Sequence, residues 1–277
     1  MNALKRGLVG LGLVATLGAA GAATIATPEG VYNNFGGFDW TSAASVLISG
    51  YTITNASAAG SSQIIDVYYN AFAANLQDVA GGNFVTNSLV KGTGNGTANG
   101  YEVTIVAHLQ ELVSCVSATG CSIVTITPMT GSWSVFLDDT PDAKLSNQTG
   151  FSDGISLLTG SFTGGQSAVG TQGATNPGNV VLGTQFEGDV LTTNLSYINP
   201  ALSTANFVST LQFGNKVTAW AAPTTWLGNG FSGVPQGAFV GQADANQSFH
   251  VPEPASLALT GIALAGVGLI ARRRKQA

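Results

Sequence analysis

Between residues 23 and 236 the chain is a succession of short runs in which apolar and polar residues alternate, separated by clusters of glycine, asparagine and proline. Successive side chains of a strand point to opposite faces, so a period of two marks a half-buried strand. Tyr101, Val103, Ile105, Ala107 and Leu109 alternate in this way with Glu102, Thr104, Val106, His108 and Gln110. The stretch 122–127 is β-branched and apolar, and Trp133, Val135 and Leu137 alternate after an expected turn at 129–131. Stretches 64–69, 84–90, 180–182, 207–213 and 216–220 are further short strand candidates, and turn clusters stand at 92–100, 140–142, 175–178 and 228–230. A sustained 3.6 period is almost absent, and the best helical candidate, 70–79, is short. The pattern predicts an all-β body, an antiparallel β-sandwich or jelly roll. Within it, 160–179 reads as a long loop or a boundary between two β halves, and 237–250 as a polar spacer.

The tail has a different logic. Pro252, Glu253 and Pro254 are followed by an apolar run of 16 residues from Ala255 to Ile270, and then by Arg272, Arg273, Arg274 and Lys275. The prolines hold the Glu253 segment extended. As a helix the run spans about 24 Å, a short fit to a hydrocarbon core of about 30 Å, and the basic cluster stays on the cytoplasmic face. This order resembles the PEP-CTERM sorting signal of exopolysaccharide-producing Gram-negative bacteria. The resemblance implies processing near Pro252–Pro254 by an exosortase, a membrane-embedded cysteine transpeptidase, after which the protein is released outside. The sorting signal is assigned to 251–277, with a single transmembrane helix that holds the inner membrane transiently.

The N-terminus reads consistently with this. Lys5 and Arg6 precede an apolar stretch from Leu8 to Ala20, and Ala20 and Ala22 flank Gly21 as a signal-peptidase site. Residues 1–22 are therefore expected to be a secretory signal peptide. With both basic clusters inside, the domain 23–236 is carried across the inner membrane.

Without the two targeting segments the body holds Lys91, Lys144 and Lys216 against 13 acids, the chain's 14 less Glu253, for a net 3 − 13 = −10. Nucleic acid is excluded as a partner, because binding it requires clustered cations. An anionic polysaccharide would be repelled unless metal ions bridge it. Charged residues are only 8% of the chain, far below the usual quarter or so, and hydroxyl and amide side chains take their place. Cys115 and Cys121 are the only cysteines. Export to an oxidising compartment predicts a disulfide at the base of a hairpin loop, and the spacing excludes a zinc knuckle.

Candidate chemistry is sparse. Gly150, Ser152 and Gly154 match the Gly-x-Ser-x-Gly elbow of hydrolases, but that elbow needs a strand before the serine and a histidine after it. The residues before it are loop-like, His108 lies upstream, and His250 adjoins the sorting motif. Asp138, Asp139 and Asp142 are the densest acidic cluster; carboxylates at a strand end can take calcium, but aspartate in a turn with Pro141 is also ordinary turn chemistry. Glu187 and Asp189 share a strand face, as paired glycosidase carboxylates would. Trp133 is expected in the core; among Trp40, Trp133, Trp220 and Trp226, only Trp220 or Trp226 is placed to stack on sugars. Asn55, Asn95, Asn147, Asn194 and Asn246 open Asn-x-Ser/Thr sequons that composition explains.

Segments 135–145 and 198–214 look like the flocculation-associated PEP-CTERM proteins. That resemblance implies an exported, non-enzymatic protein that helps cells aggregate with secreted polysaccharide. The expected role is thus a matrix or adhesion protein without cofactor, with a lectin-like module as the alternative and a secreted hydrolase as a remote third.

Overall fold

The computed structural model describes residues 22–90, 100–171, 181–212 and 222–251. Its strands are β1 (Ala23–Thr27), β2 (Gly30–Ser49), β3 (Ser62–Asp78), β4 (Glu102–Cys115), β5 (Ile123–Asp138), β6 (Ile155–Gln166), β7 (Ala168–Thr171), β8 (Val181–Thr193), β9 (Ile198–Asn199), β10 (Thr204–Gln212) and β11 (Phe239–His250). No described residue is helical, and no helix among them is long and apolar enough to cross a membrane. The apolar run 255–270, the Arg cluster and residues 1–21 lie outside the described residues.

Eight strands follow one another as β2-β3-β4-β5-β6-β8-β10-β11, each antiparallel to the last, and β11 pairs back onto β2. This is a closed up-and-down β-barrel, not the expected sandwich or jelly roll. Alternation is the same for all three architectures, because it reports only that one face of each strand is buried. Closure is decided by which strand meets β2, and that strand is β11, where Phe239 stands opposite Ile48 and Ser248 opposite Gly37. Residues 239–250 are therefore a barrel stave rather than a spacer. Short β1 adds to β2, β9 to β1, and β7 to the start of β5.

Four other expectations also change. The helical candidate 70–79 is the second half of β3, where Asn70, Ala71, Phe72 and Ala73 are all buried because loops cover the outer wall. The expected turn at 129–131 is interior to an unbroken β5. The stretch 160–171 belongs to β6 and β7, not to a boundary; 172–179, 92–99 and the strand candidate 216–220 lie outside the described residues. Stretch 84–90 lies outside the strands, with Leu89 bridging Tyr101.

The inward residues of β4 are Val103, Ile105, Ala107 and Leu109, and those of β5 are Trp133, Val135 and Leu137, as their alternation requires. One side of the interior is aromatic: Trp133 contacts Phe207 and Phe249 at ring-centroid distances of 5.5 and 6.2 Å, and Phe249 reaches Phe35 and Phe38 at 5.9 and 5.8 Å. Ala243 and Ala245 of β11, small inward residues, line a cavity together with Phe162, Phe186 and Phe207. This cavity, of about 50 Å³, is far below the roughly 300 Å³ at which ligand pockets begin. The larger hollow among the described residues lies on the outer wall.

Candidate functional site

On the outer wall of β3 and β4, two loops from opposite ends of the barrel meet. The β5–β6 loop, 139–154, comes from one end, and the β10–β11 loop, described from 222 to 238, comes from the other. Leu227 N–H donates to the Asn147 carbonyl at 2.9 Å where they touch. Beneath the contact, buried Asn70 donates through Nδ2 to Gln148 Oε1 (3.0 Å) and Asn229 Oδ1 (3.1 Å), and Trp226 Nε1 donates to the same Asn229 oxygen (3.1 Å). Phe151 packs on Phe72 at 5.0 Å, and its carbonyl accepts from Thr104 Oγ1 at 2.8 Å. These contacts frame a hollow of about 300 Å³ lined by Asn70, Val106, Gln148, Ser152 and Asn229.

Farther along the same wall, Tyr68 and His108 stand opposite each other and stack with their planes 2° apart and centroids 4.3 Å apart. Phe231 meets the Tyr68 ring edge-on at 4.8 Å. His108 Nε2 is 3.0 Å from Asp66 Oδ1, to which Gln110 also donates at 3.3 Å. Strand alternation places Asp66, Tyr68 and Asn70 of β3 on one face, in register with Gln110, His108 and Val106 of β4.

A third group lies where β4 begins and β5 ends. Glu102 and Asp138 are directly paired across the two strands. Asp142 returns to them from the loop, and one carboxylate oxygen from each of the three lies within 4.8 Å of the others. Buried Glu102 accepts from the Asp142 and Ala143 N–H groups, both at 3.1 Å through Oε1, and Oε2 has no partner. Loss of water pushes the Glu102 carboxyl up to about 7, with the charges of Asp138 and Asp142 acting in the same sense and the two N–H groups opposing. Asp142 is also raised, by loss of water and by Asp153 and Asp138. The acidic trio expected from sequence is thus altered. Asp138 and Asp142 come together, but Glu102 takes the place of Asp139, whose Oδ1 accepts from the Thr140 hydroxyl. Glu102 was missed because 36 residues separate it from Asp138, and only strand register joins them.

The other expected residues are also placed. Cys115 and Cys121 are bonded across the β4–β5 hairpin, with their Cα atoms 5.1 Å apart. Ser152 lies on the exposed loop; His108 is bonded to Asp66, and His250, at the end of β11, to Asn206 at 3.0 Å, so neither bond involves the serine. Glu187 and Asp189 lie on β8 on either side of Gly188. Trp40, Trp133 and Trp226 are all buried, which removes Trp226 as an exposed sugar platform, and Trp220 is outside the described residues. A half-exposed aromatic pair on this wall is Tyr68 with His108, which the alternation of β4 and of 64–69 could have placed there.

Residues 250–275 match the family model of the PEP-CTERM protein-sorting motif. The match begins at the last residue of β11, so the barrel's closing strand runs straight into the sorting signal. No curated protein and no solved structure matches the chain. The tail is consistent with an exosortase substrate, and the motif implies export across the membrane and display at the cell surface. The described residues thus form a β-barrel, and the chain's tail carries this sorting motif.

Proposed function

We propose that this protein is a non-catalytic component of the extracellular matrix of a Gram-negative bacterium, which associates with secreted exopolysaccharide and promotes cohesion of cells in flocs or biofilm. The observation that supports this reading is the sorting motif at 250–275, which implies exosortase processing and delivery outside. The surface chemistry supports it. The body carries three lysines, is rich in Ser, Thr, Asn and Gln, and so meets hydrated polymers through neutral hydrogen bonds that salt screens little. The exported protein, purified and mixed with cell-free polysaccharide from a strain lacking it, should sediment with the polymer. Protein left wholly in the supernatant contradicts the proposal.

One observation favours a lectin-like version of the same role, with a defined sugar site. The hollow beneath the two loops is framed by amide and hydroxyl groups and adjoins the Tyr68–His108 stack, a combination suited to a sugar's hydroxyls and its apolar face. A glycan array separates the two versions: a defined site selects a few glycans and loses them in Tyr68→Ala, whereas diffuse association gives no selection.

A further inference from the structure

We propose that Glu102, Asp138 and Asp142 form a calcium-binding site that fastens the β5–β6 loop to the barrel wall. Glu102 and Asp138 are directly opposed on β4 and β5, and like charges so placed repel. Asp142 brings a third carboxylate within 4.8 Å. A separate observation shows that the group lacks something. Glu102 is completely buried, and its Oε2 has no hydrogen-bond donor although Oε1 has two. A buried polar atom without a partner is costly, and a buried carboxylate oxygen without a donor, on a residue grouped with two other carboxylates, is completed by either a proton or a cation. Among the described residues no lysine or arginine is in ion-pair contact with the three, although the charge of Lys144 acts on Asp142 from farther away. Calcium suits such a place: it takes six to eight oxygens with flexible geometry, Asp142 is exposed so that water can complete the shell, and the compartment outside the cell supplies the ion.

The site would draw the loop inward. Asp142 lies one residue before Ala143, which is buried against Phe72 and Phe151, and the same loop carries Gln148 and Ser152 to the outer-wall hollow. Glycine permits the close approach, since a β-carbon at Gly150 would stand 2.4 Å from Asp142 Oδ1. The matrix role does not require this site, and either can hold without the other.

The test is calorimetric titration of the exported protein with calcium chloride at fixed pH and ionic strength, with magnesium chloride as the comparison. One calcium per chain is expected, with a dissociation constant of about 10⁻⁴ to 10⁻³ M, the range of extracellular modules. Asp142→Asn, an exposed change, should weaken it by at least about tenfold through loss of ligand charge, and Asp189→Asn should not. Glu102→Gln separates the two ways of completing Oε2, because its amide can donate as a protonated acid would. If calcium fills the site, the variant loses calcium binding. No calcium-specific heat in the parent protein, or heat unchanged in Asp142→Asn, overturns the proposal. If Glu102→Gln fails to fold, Asp138→Asn and Asp142→Asn decide between the two.

Discussion

The indole of Trp133 on β5 lies against the bare Cα of Gly160, its register partner on β6, so closely that a β-carbon there would stand 2.0 Å from Trp133 Cζ2. The glycine is what lets a fully buried tryptophan join the aromatic interior. Gly160→Ala should therefore destabilise the barrel by about 1–3 kcal/mol through overpacking, seen as a lower urea midpoint with unchanged slope. Gly233→Ala, whose added carbon meets nothing within 4 Å, should stay within about 0.5 kcal/mol of the parent.

Glu111 sits on the inward register of β4, fully buried, with burial alone pushing its carboxyl from 4.5 to about 7. Its folded form holds the proton more tightly than the unfolded chain does. Below about pH 4.5 the group is neutral in both states and costs nothing; as pH rises toward 7 the unfolded chain gains stability by ionising and the barrel does not. Stability should thus fall across that window, by about 3 kcal/mol from this group. Glu111→Gln should remove that part of the fall, as measured by urea unfolding at pH 4.5 and pH 7.5. An equal fall in both proteins contradicts the assignment.

The Cys115–Cys121 bridge closes a short loop at the β4–β5 hairpin. On the chain-entropy estimate it stabilises by about 2 kcal/mol. Changing both cysteines to serine should lower the unfolding midpoint accordingly without preventing export. Free thiols titrated in the native exported protein would contradict the pairing.

The mature protein should lack residues 1–22 and most of the tail beyond Pro254. Replacing Pro252, Glu253 and Pro254 together should leave precursor in the inner membrane, detected by fractionation. Because β11 ends at His250, truncation before Phe239 should do more than remove the sorting signal. It should open the barrel and leave a chain that proteases digest.

How much of this was legible in the sequence depended on which side chain faced inward. In β4 and β5 the inward positions are Val, Ile, Leu and Trp, and the alternation placed them correctly. In β11 the inward positions are Gly241, Ala243, Ala245, Gln247 and Phe249, too small or too polar to register as a buried face, so the strand that closes the barrel read as spacer. Asn70 and Phe72 misled in the opposite direction: loops bury the outer face of β3 there, erasing the period of two. Asp138 and Asp142 were visible as neighbours, while Glu102 joined them through register alone. The hollow is made by loops from opposite ends of the barrel and has no local signature.

The most direct test of the matrix role is the settling rate of cells in which the gene is deleted, with secreted polysaccharide measured in the same cultures. Cohesion should be lost or weakened while polysaccharide continues to be made. It should return with the parent gene and equally with Ser152→Ala, and it should respond more to divalent cations than to sodium at equal ionic strength. Unchanged settling after deletion would contradict a role in cohesion. Failure of Ser152→Ala alone to restore it, in protein still folded and exported, would put a catalytic serine in place of the matrix reading.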